Sequence, residues 1–280
     1  MFPSLSRSIN LIRASWSVLN KDKEIILFPI LSGIACIIVV ASFIIPSVII
    51  GAGLKTLSGN QYLLYLGLFI FYLITYFIII FFNVGLVTCA NIRLNGGNPT
   101  FSDGISSAIK NLHRILVWSL LSATVGVILS LIRDQKNIVG QIISSLLGTA
   151  WALLTYFVVP VMILEDKGVV EAIKDSASLF KRTWGETVVG QGGIMIVFGI
   201  IAILGLIPVI LSFLSGYTPL IIAVIGLYLL LVVVLGVIGS ALQGIFTTAL
   251  YLYAKTGNVP SAFNTDQIEH AFKPAKTKQI

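Results

Sequence analysis

A chain of 280 residues that is 57% hydrophobic, 10% charged and +1.01 in mean hydropathy lies far from soluble proteins, in which about a quarter of residues are charged. The net charge of +7 is not accompanied by the basic folded domain that nucleic-acid binding needs, so no nucleic-acid partner is expected. Two cysteines without CxxC or Cys/His spacing, and two isolated histidines, His113 and His270, support neither a disulfide scaffold nor a metal site.

In chain order, the first 24 residues form an amphipathic stretch: Leu5, Ile9, Ile12, Trp16 and Leu19 recur at helical spacing while Arg7, Asn10, Arg13, Ser17 and Lys21 fall between them. The stretch is not a conventional signal peptide, because the apolar run after it exceeds the roughly 7 to 15 residues of such a leader. Five runs without Asp, Glu, Lys or Arg follow, at 25–54, 56–92, 115–132, 137–164 and 187–254. A spanning helix needs roughly 20 apolar residues. The last run is too long for one crossing and carries turn chemistry at Ser215, Gly216, Tyr217, Thr218 and Pro219, so the chain is predicted to cross six times.

The third run, 18 residues, reaches only about 27 Å as a helix. The sixth, 220–254, reaches about 52 Å, so it is expected to kink near Gly236, Ser240 and Gly244 or to protrude. Continuous apolar runs without period-2 alternation indicate helices, giving an all-α, polytopic fold. The domain reading is a single membrane domain over 1–260 and a polar tail over 261–280.

Of the 18 Lys and Arg, only Lys55, Arg133 and Lys136 fall on one side of the predicted membrane. The positive-inside rule then places both termini in the cytoplasm, in a plasma (inner) membrane. Two further amphipathic stretches lie on that side. Phe101, Ile105, Ile109 and Leu112 repeat against Asp103, Ser107, Lys110 and Asn111; Val169, Ile173, Ala177, Phe180 and Trp184 repeat against Glu171, Lys174, Asp175, Lys181 and Arg182. The stretches resemble each other, with 11–16 aligning to 179–184 and 108–111 to 172–175. Three parallel repeats, about 1–98, 99–166 and 167–260, are read from this, each an interfacial helix followed by a helical hairpin.

Three groups of residues are candidates for function. Trp16, Phe180 and Trp184 are expected membrane-interface anchors, with Trp118 near the start of the third span in the same role. Trp151, mid-run, calls for a packing partner. Glu165, Asp166, Lys181, Arg182 and Glu186 form an expected cytoplasmic charge network, and Gln191 and Gln243 are neutral polar groups within spans. Such groups tie helices together in membranes. No ionisable residue lies at a helix centre, which argues against a proton relay or voltage sensor. GxSxG, HExxH, Walker and GxGxxG motifs are missing, so no enzymatic activity and no cofactor are expected.

The stretch Pro160-Val-Met-Ile-Leu-Glu165-Asp166-Lys-Gly168-Val-Val-Glu-Ala172-Ile-Lys-Asp-Ser176, continuing through Lys181-Arg182-Thr-Trp184-Gly185-Glu186, resembles the central signature of an uncharacterised family of prokaryotic six-helix integral membrane proteins. More distantly it is similar to the membrane domain accompanying some glycerophosphodiester phosphodiesterases. The resemblance implies a six-helix fold and membrane location, and no activity. Two functions remain open on the sequence. One is a non-enzymatic lipid-interacting or membrane-scaffolding protein, with membrane lipids and a homo-oligomer as partners. The other is a channel or permease for a neutral or amphiphilic solute.

Overall fold

The computed structural model describes residues 2–49, 61–134, 138–257 and 260. The described residues form α1 (Phe2–Lys21), a 3₁₀ turn (Lys23–Ile26), α2 (Leu27–Ile49), α3 (Gln61–Leu94), α4 (Phe101–Lys110), α5 (Leu112–Asp134), α6 (Ile138–Leu154), α7 (Val158–Leu164), α8 (Val169–Leu214) and α9 (Thr218–Thr256), with no strand among them. Six segments are long and apolar enough to cross a membrane: Lys23–Ile45, Tyr65–Leu94, Leu112–Arg133, Ile138–Leu164, Gly192–Leu214 and Thr218–Thr256. The chain forms two compact units, each discontinuous in sequence.

The first unit comprises 1–29, 90–99 and 183–280. Helix α1 packs on α9, burying Leu11, Ala14, Ser15 and Val18. Asp22, with φ −126° and ψ 77°, ends the helix, and Ile25 and Phe28 beyond it are buried. Seven consecutive residues of α9, 245–251, are buried and so cover its whole circumference, whereas Leu220, Ile222, Leu227, Leu229 and Leu230 nearer its start are exposed. Gly205 of α8 lies where a Cβ would come within 2.8 Å of Leu231 and 3.3 Å of the Tyr228 ring, so these two helices approach closely. The turn between α8 and α9 is where the sequence places it, with Gly216 at φ +62° and Pro219 in the first turn of α9. Helix α9 runs unbroken for 39 residues, about 58 Å, so of the two expected outcomes it extends rather than kinks.

The second unit comprises 30–89 and 100–182. Phe43 and Phe71 meet edge to face at 5.3 Å, and Gly126 of α5 sits against the Tyr72 and Tyr76 rings of α3. Helices α5 and α6 form a hairpin tied by the Ser144 hydroxyl, which donates to the Leu129 carbonyl at 2.7 Å. Most other hydroxyls donate to carbonyls of their own helix, as Ser119 does to Ile115 and Thr124 to Leu120. The third span is longer than its charge-free run, because α5 continues through His113 and Arg114 at one end and Arg133 at the other; its 23 residues give about 34 Å.

The fourth span departs from a single continuous helix. A non-helical step at 155–157 separates α6 from α7. Pro160 supplies the cause: in a continuous helix its ring would clash with the Tyr156 carbonyl and leave it without a donor. The step frees the buried Phe157 N–H, which donates to the Ser176 hydroxyl of α8 at 2.9 Å. Trp151 finds its partner in Trp118, with ring centroids 5.7 Å apart. Trp118 is only 6% exposed, which corrects its expected role as an interfacial anchor.

Candidate functional site

The three amphipathic stretches are all helical, and the line each buries against protein is not its bulky apolar stripe. In α1 the buried line includes Leu11, Ala14, Ser15 and Val18; in α4 and the start of α5 it is Gly104, Ala108, Asn111 and Ile115; in α8 it is Val169, Ala172, Ser176, Leu179 and Thr183. Much of each line lies about one residue round the helix from the bulky apolar stripe. Small side chains let backbones approach, so Ala14, Ser15, Gly104, Ala108, Ala172 and Ser176 take protein-facing positions alongside a few larger residues such as Leu11 and Leu179. Trp16 is accordingly 45% exposed and Ile109 54%, while Ile9, Ile12, Ile105, Ile173 and Phe180 are half-buried. Leu19 is buried on the protein side of its stripe, and the Trp184 side chain lies outside the described residues. Arg13, Lys110, Lys174, Lys181 and Arg182 are exposed beside these stripes.

Thr183 breaks the helical geometry of α8, with φ −117° and ψ 18°, where the amphipathic segment gives way to the span. Helix α4 opens on a capping box: the Thr100 N–H donates to Asp103 at 2.8 Å and the Asp103 N–H returns to the Thr100 hydroxyl at 3.3 Å. The Thr100 hydroxyl, which also donates to the Asp103 carboxylate at 2.8 Å, and then the Thr100 N–H hold the Asp103 carboxyl below its ordinary pKa. The Thr88 hydroxyl of α3 donates to Ser107 of α4 at 2.9 Å, and Cys89, buried, donates its thiol to the Thr100 carbonyl at 3.4 Å.

The charge network recruits different cations from those the sequence suggests. Arg114, at the start of α5, donates to the Asp166 carboxylate at 2.5 Å and to the Asp166 main-chain oxygen at 3.0 Å. Its other contact, to the Asn111 side chain at 2.9 Å, fixes the guanidinium. Hydrogen bonding by Arg114, then its charge, with smaller help from Lys110 and His113, holds the Asp166 carboxyl below the usual range. Lys167 joins Asp175 at 2.5 Å and Glu165 at 2.8 Å, and these two carboxylates, Asp175 foremost, raise its pKa. Lys181 and Arg182 are exposed and make no ion pair among the described residues. The side chains of Glu186 and Gln191 lie outside the described residues, and Gln243 is half-buried on α9.

Sequence reasoning missed the most buried of the ion pairs seen among the described residues. Arg93, at the end of α3, donates through Nε and Nη2 to both oxygens of Asp22, whose side chain is 5% exposed. Arg93 Nη2 also reaches Asn98 Oδ1 at 2.7 Å. The signal was present: Asp22 lies at the end of the first amphipathic stretch, and Arg93 is the first charge after the 56–92 run. Among the described residues, no group of three or more His, Cys, Asp or Glu has the geometry to hold a metal ion.

The Family of unknown function (DUF6159) matches residues 62–261, a stretch that takes in five of the six candidate spans together with α4 and the Asp166–Lys167 corner. No curated protein and no solved structure matches the chain. Nothing in these matches connects it to glycerophosphodiester phosphodiesterases. With more than two thirds of its residues matched, on a fold whose apolar helices fit a membrane protein, the chain belongs to the Family of unknown function (DUF6159).

Proposed function

We propose that this chain is a non-enzymatic, lipid-interacting membrane protein whose amphipathic helices lie along the cytoplasmic leaflet of a plasma (inner) membrane. The observation that carries the reading is the uncovered bulky stripe. In α1, α4 and the start of α8 the protein covers a line that includes Ala14, Ser15, Ala108, Ala172 and Ser176 and leaves Trp16, Ile109 and their half-buried neighbours beside exposed cations. A helix with one apolar and one basic exposed strip is the form that settles at the boundary of headgroups and acyl chains. Burial also agrees at the aligned positions: Ala108 and Ala172 are both 0% exposed, and Leu11 and Leu179 are 2% and 7%. That agreement supports the reading of repeated interfacial helices, and the distribution of Lys and Arg supports cytoplasmic termini.

Native mass spectrometry after gentle extraction tests the reading. Wild-type protein is expected to retain lipid, and the double variant Trp16→Glu, Phe180→Glu to lose most of it at unchanged helix content. Equal lipid retention by the two proteins would overturn it.

A further inference from the structure

A polar cavity of about 320 Å³ opens where α1 meets the 3₁₀ turn and the connection after α3, lined by Asn20, Lys21, Asp22, Lys23, Glu24, Asn98 and Pro99. One candidate span begins at Lys23 and another ends at Leu94, so the cavity lies at the level where two spans meet water. Its donors are unspent. Asn98 gives its oxygen to Arg93, which turns its amide N–H groups away from that partner. The side chains of Asn20, Lys21 and Lys23 have no hydrogen-bond or ion-pair partner among the described residues. Asp22, the buried acid of the wall, is already matched by the bidentate Arg93. With Asp22 matched by Arg93 just behind the wall, the lining carries two cations, Lys21 and Lys23, against the one further carboxylate of Glu24.

The cavity also continues an apolar track. Asn20 stands four residues beyond Trp16 on α1, so the uncovered stripe of Ile12 and Trp16 leads along the same face to the cavity wall. A ligand that satisfies both parts has an anionic, hydrogen-bond-accepting head and an apolar tail at membrane depth.

We infer that this cavity binds the phosphate headgroup of an anionic phospholipid of the cytoplasmic leaflet, with Lys21, Lys23, Asn20 and Asn98 donating to the phosphate oxygens and Trp16 against the lipid's upper acyl chain. The inference rests on the lipid-interacting reading above and names the lipid class and the place where it is held. The phosphate group is shared with soluble phosphates; the membrane level of the cavity and the apolar track commit the site to the lipid.

The test uses the full chain in nanodiscs of phosphatidylcholine alone or mixed with phosphatidylglycerol, with bound phosphatidylglycerol counted by native mass spectrometry after release. Wild-type protein is expected to keep phosphatidylglycerol in preference to phosphatidylcholine. Removing the charges in Lys21→Gln, Lys23→Gln is expected to weaken that preference about fivefold per lysine at unchanged melting temperature. Arg133→Gln, which removes an exposed cation at the far end of α5, outside all three amphipathic segments, is expected to leave it intact. Equal retention by the Lys21, Lys23 variant and the wild type sinks the headgroup site; if Trp16→Glu, Phe180→Glu still loses lipid, the broader reading survives that failure. Loss of lipid retention in every protein, wild type included, overturns both. If inorganic phosphate binds through Lys21 and Lys23 while phosphatidylglycerol is not preferred, the site belongs to a soluble phosphate and the lipid assignment falls.

Discussion

Arg114 and Asp166, 52 residues apart in sequence, are joined twice, the guanidinium donating to the carboxylate and to the main-chain oxygen of the same residue. Asp166 is the single non-glycine residue with positive φ among the described residues, at 56°. Asp tolerates the left-handed region better than bulkier residues do. The pair thus holds the corner between α7 and α8, next to the Lys167 cluster.

The carboxyl's depressed pKa gives that corner a pH signature. A carboxylate with a folded pKa below its unfolded value contributes stability above the unfolded pKa, about 4, and loses that contribution as pH falls through the folded value. Wild-type protein should therefore lose more melting temperature than Asp166→Asn as the pH is lowered below about 4. Parallel curves for the two proteins would show that the pair adds nothing to stability. Asp166→Leu should be worse than Asp166→Asn at neutral pH, since a leucine suits the positive φ poorly.

Arg93 and Asp22 invite a substitution that keeps charge and changes shape. Arg93→Lys removes the two-pronged contact while leaving a cation, and Asp22→Ala strands the guanidinium. Breaking a buried pair by removing one partner costs about 3 to 5 kcal/mol, so Asp22→Ala should fall near the lower end, given Arg93's 18% side-chain exposure. Arg93→Lys should recover less than half of the loss that Arg93→Ala produces. Denaturant unfolding in detergent measures all three; near-complete recovery by Lys would mean that the fork geometry is unimportant.

The Phe157–Ser176 bond makes a sharper prediction because the donor is backbone. Ser176→Ala leaves the buried N–H of Phe157 without its acceptor, at a cost of about 1 to 3 kcal/mol. Ser176→Thr retains the hydroxyl but adds a methyl at a site with no exposed surface, so it should also destabilise through overpacking. A Ser176→Ala protein as stable as wild type would show that the step at 155–157 finds another acceptor.

Ser15 predicts the opposite sign. Its hydroxyl is buried between α1 and α9 and makes no hydrogen bond. Ser15→Ala should stabilise the protein by about 1 kcal/mol, because it removes an unsatisfied polar group from the packed face. A lower melting temperature for the alanine variant would contradict this.

The six spans were legible in the sequence because the bilayer demands length and freedom from charge, both of which can be counted. Which face of a helix is buried was not legible in the same way. In water, bulky apolar residues mark the inside; where lipid is also a solvent for them, size decides, and Ala108, Ala172 and Ser176 take the inner positions that the larger Ile109, Ile173 and Phe180 cannot fill as closely. The charge partners were hidden for another reason. Lys181 and Arg182 are close to Glu165 and Asp166 along the chain, but the turn at Asp166 presents the acids to Arg114 and Lys167 instead. The interruption of the fourth span was not read from the sequence, although Pro160 carries its signal, since proline within a helix removes a donor and crowds the preceding turn.

Helix α9 joins two environments in one continuous element. Its first half presents leucines, isoleucines and valines to the outside, and its second half is enclosed on all sides by protein at 245–251. With no interruption to absorb bending, the helix acts as a lever. Pivoted near Val234, a tilt of 10° displaces Tyr251 by about 4 Å at 1.5 Å of rise per residue. Any tilt of the exposed half would therefore arrive at the face that seats α1 as a lateral shift of the buried half, so the two ends of this helix are geometrically coupled.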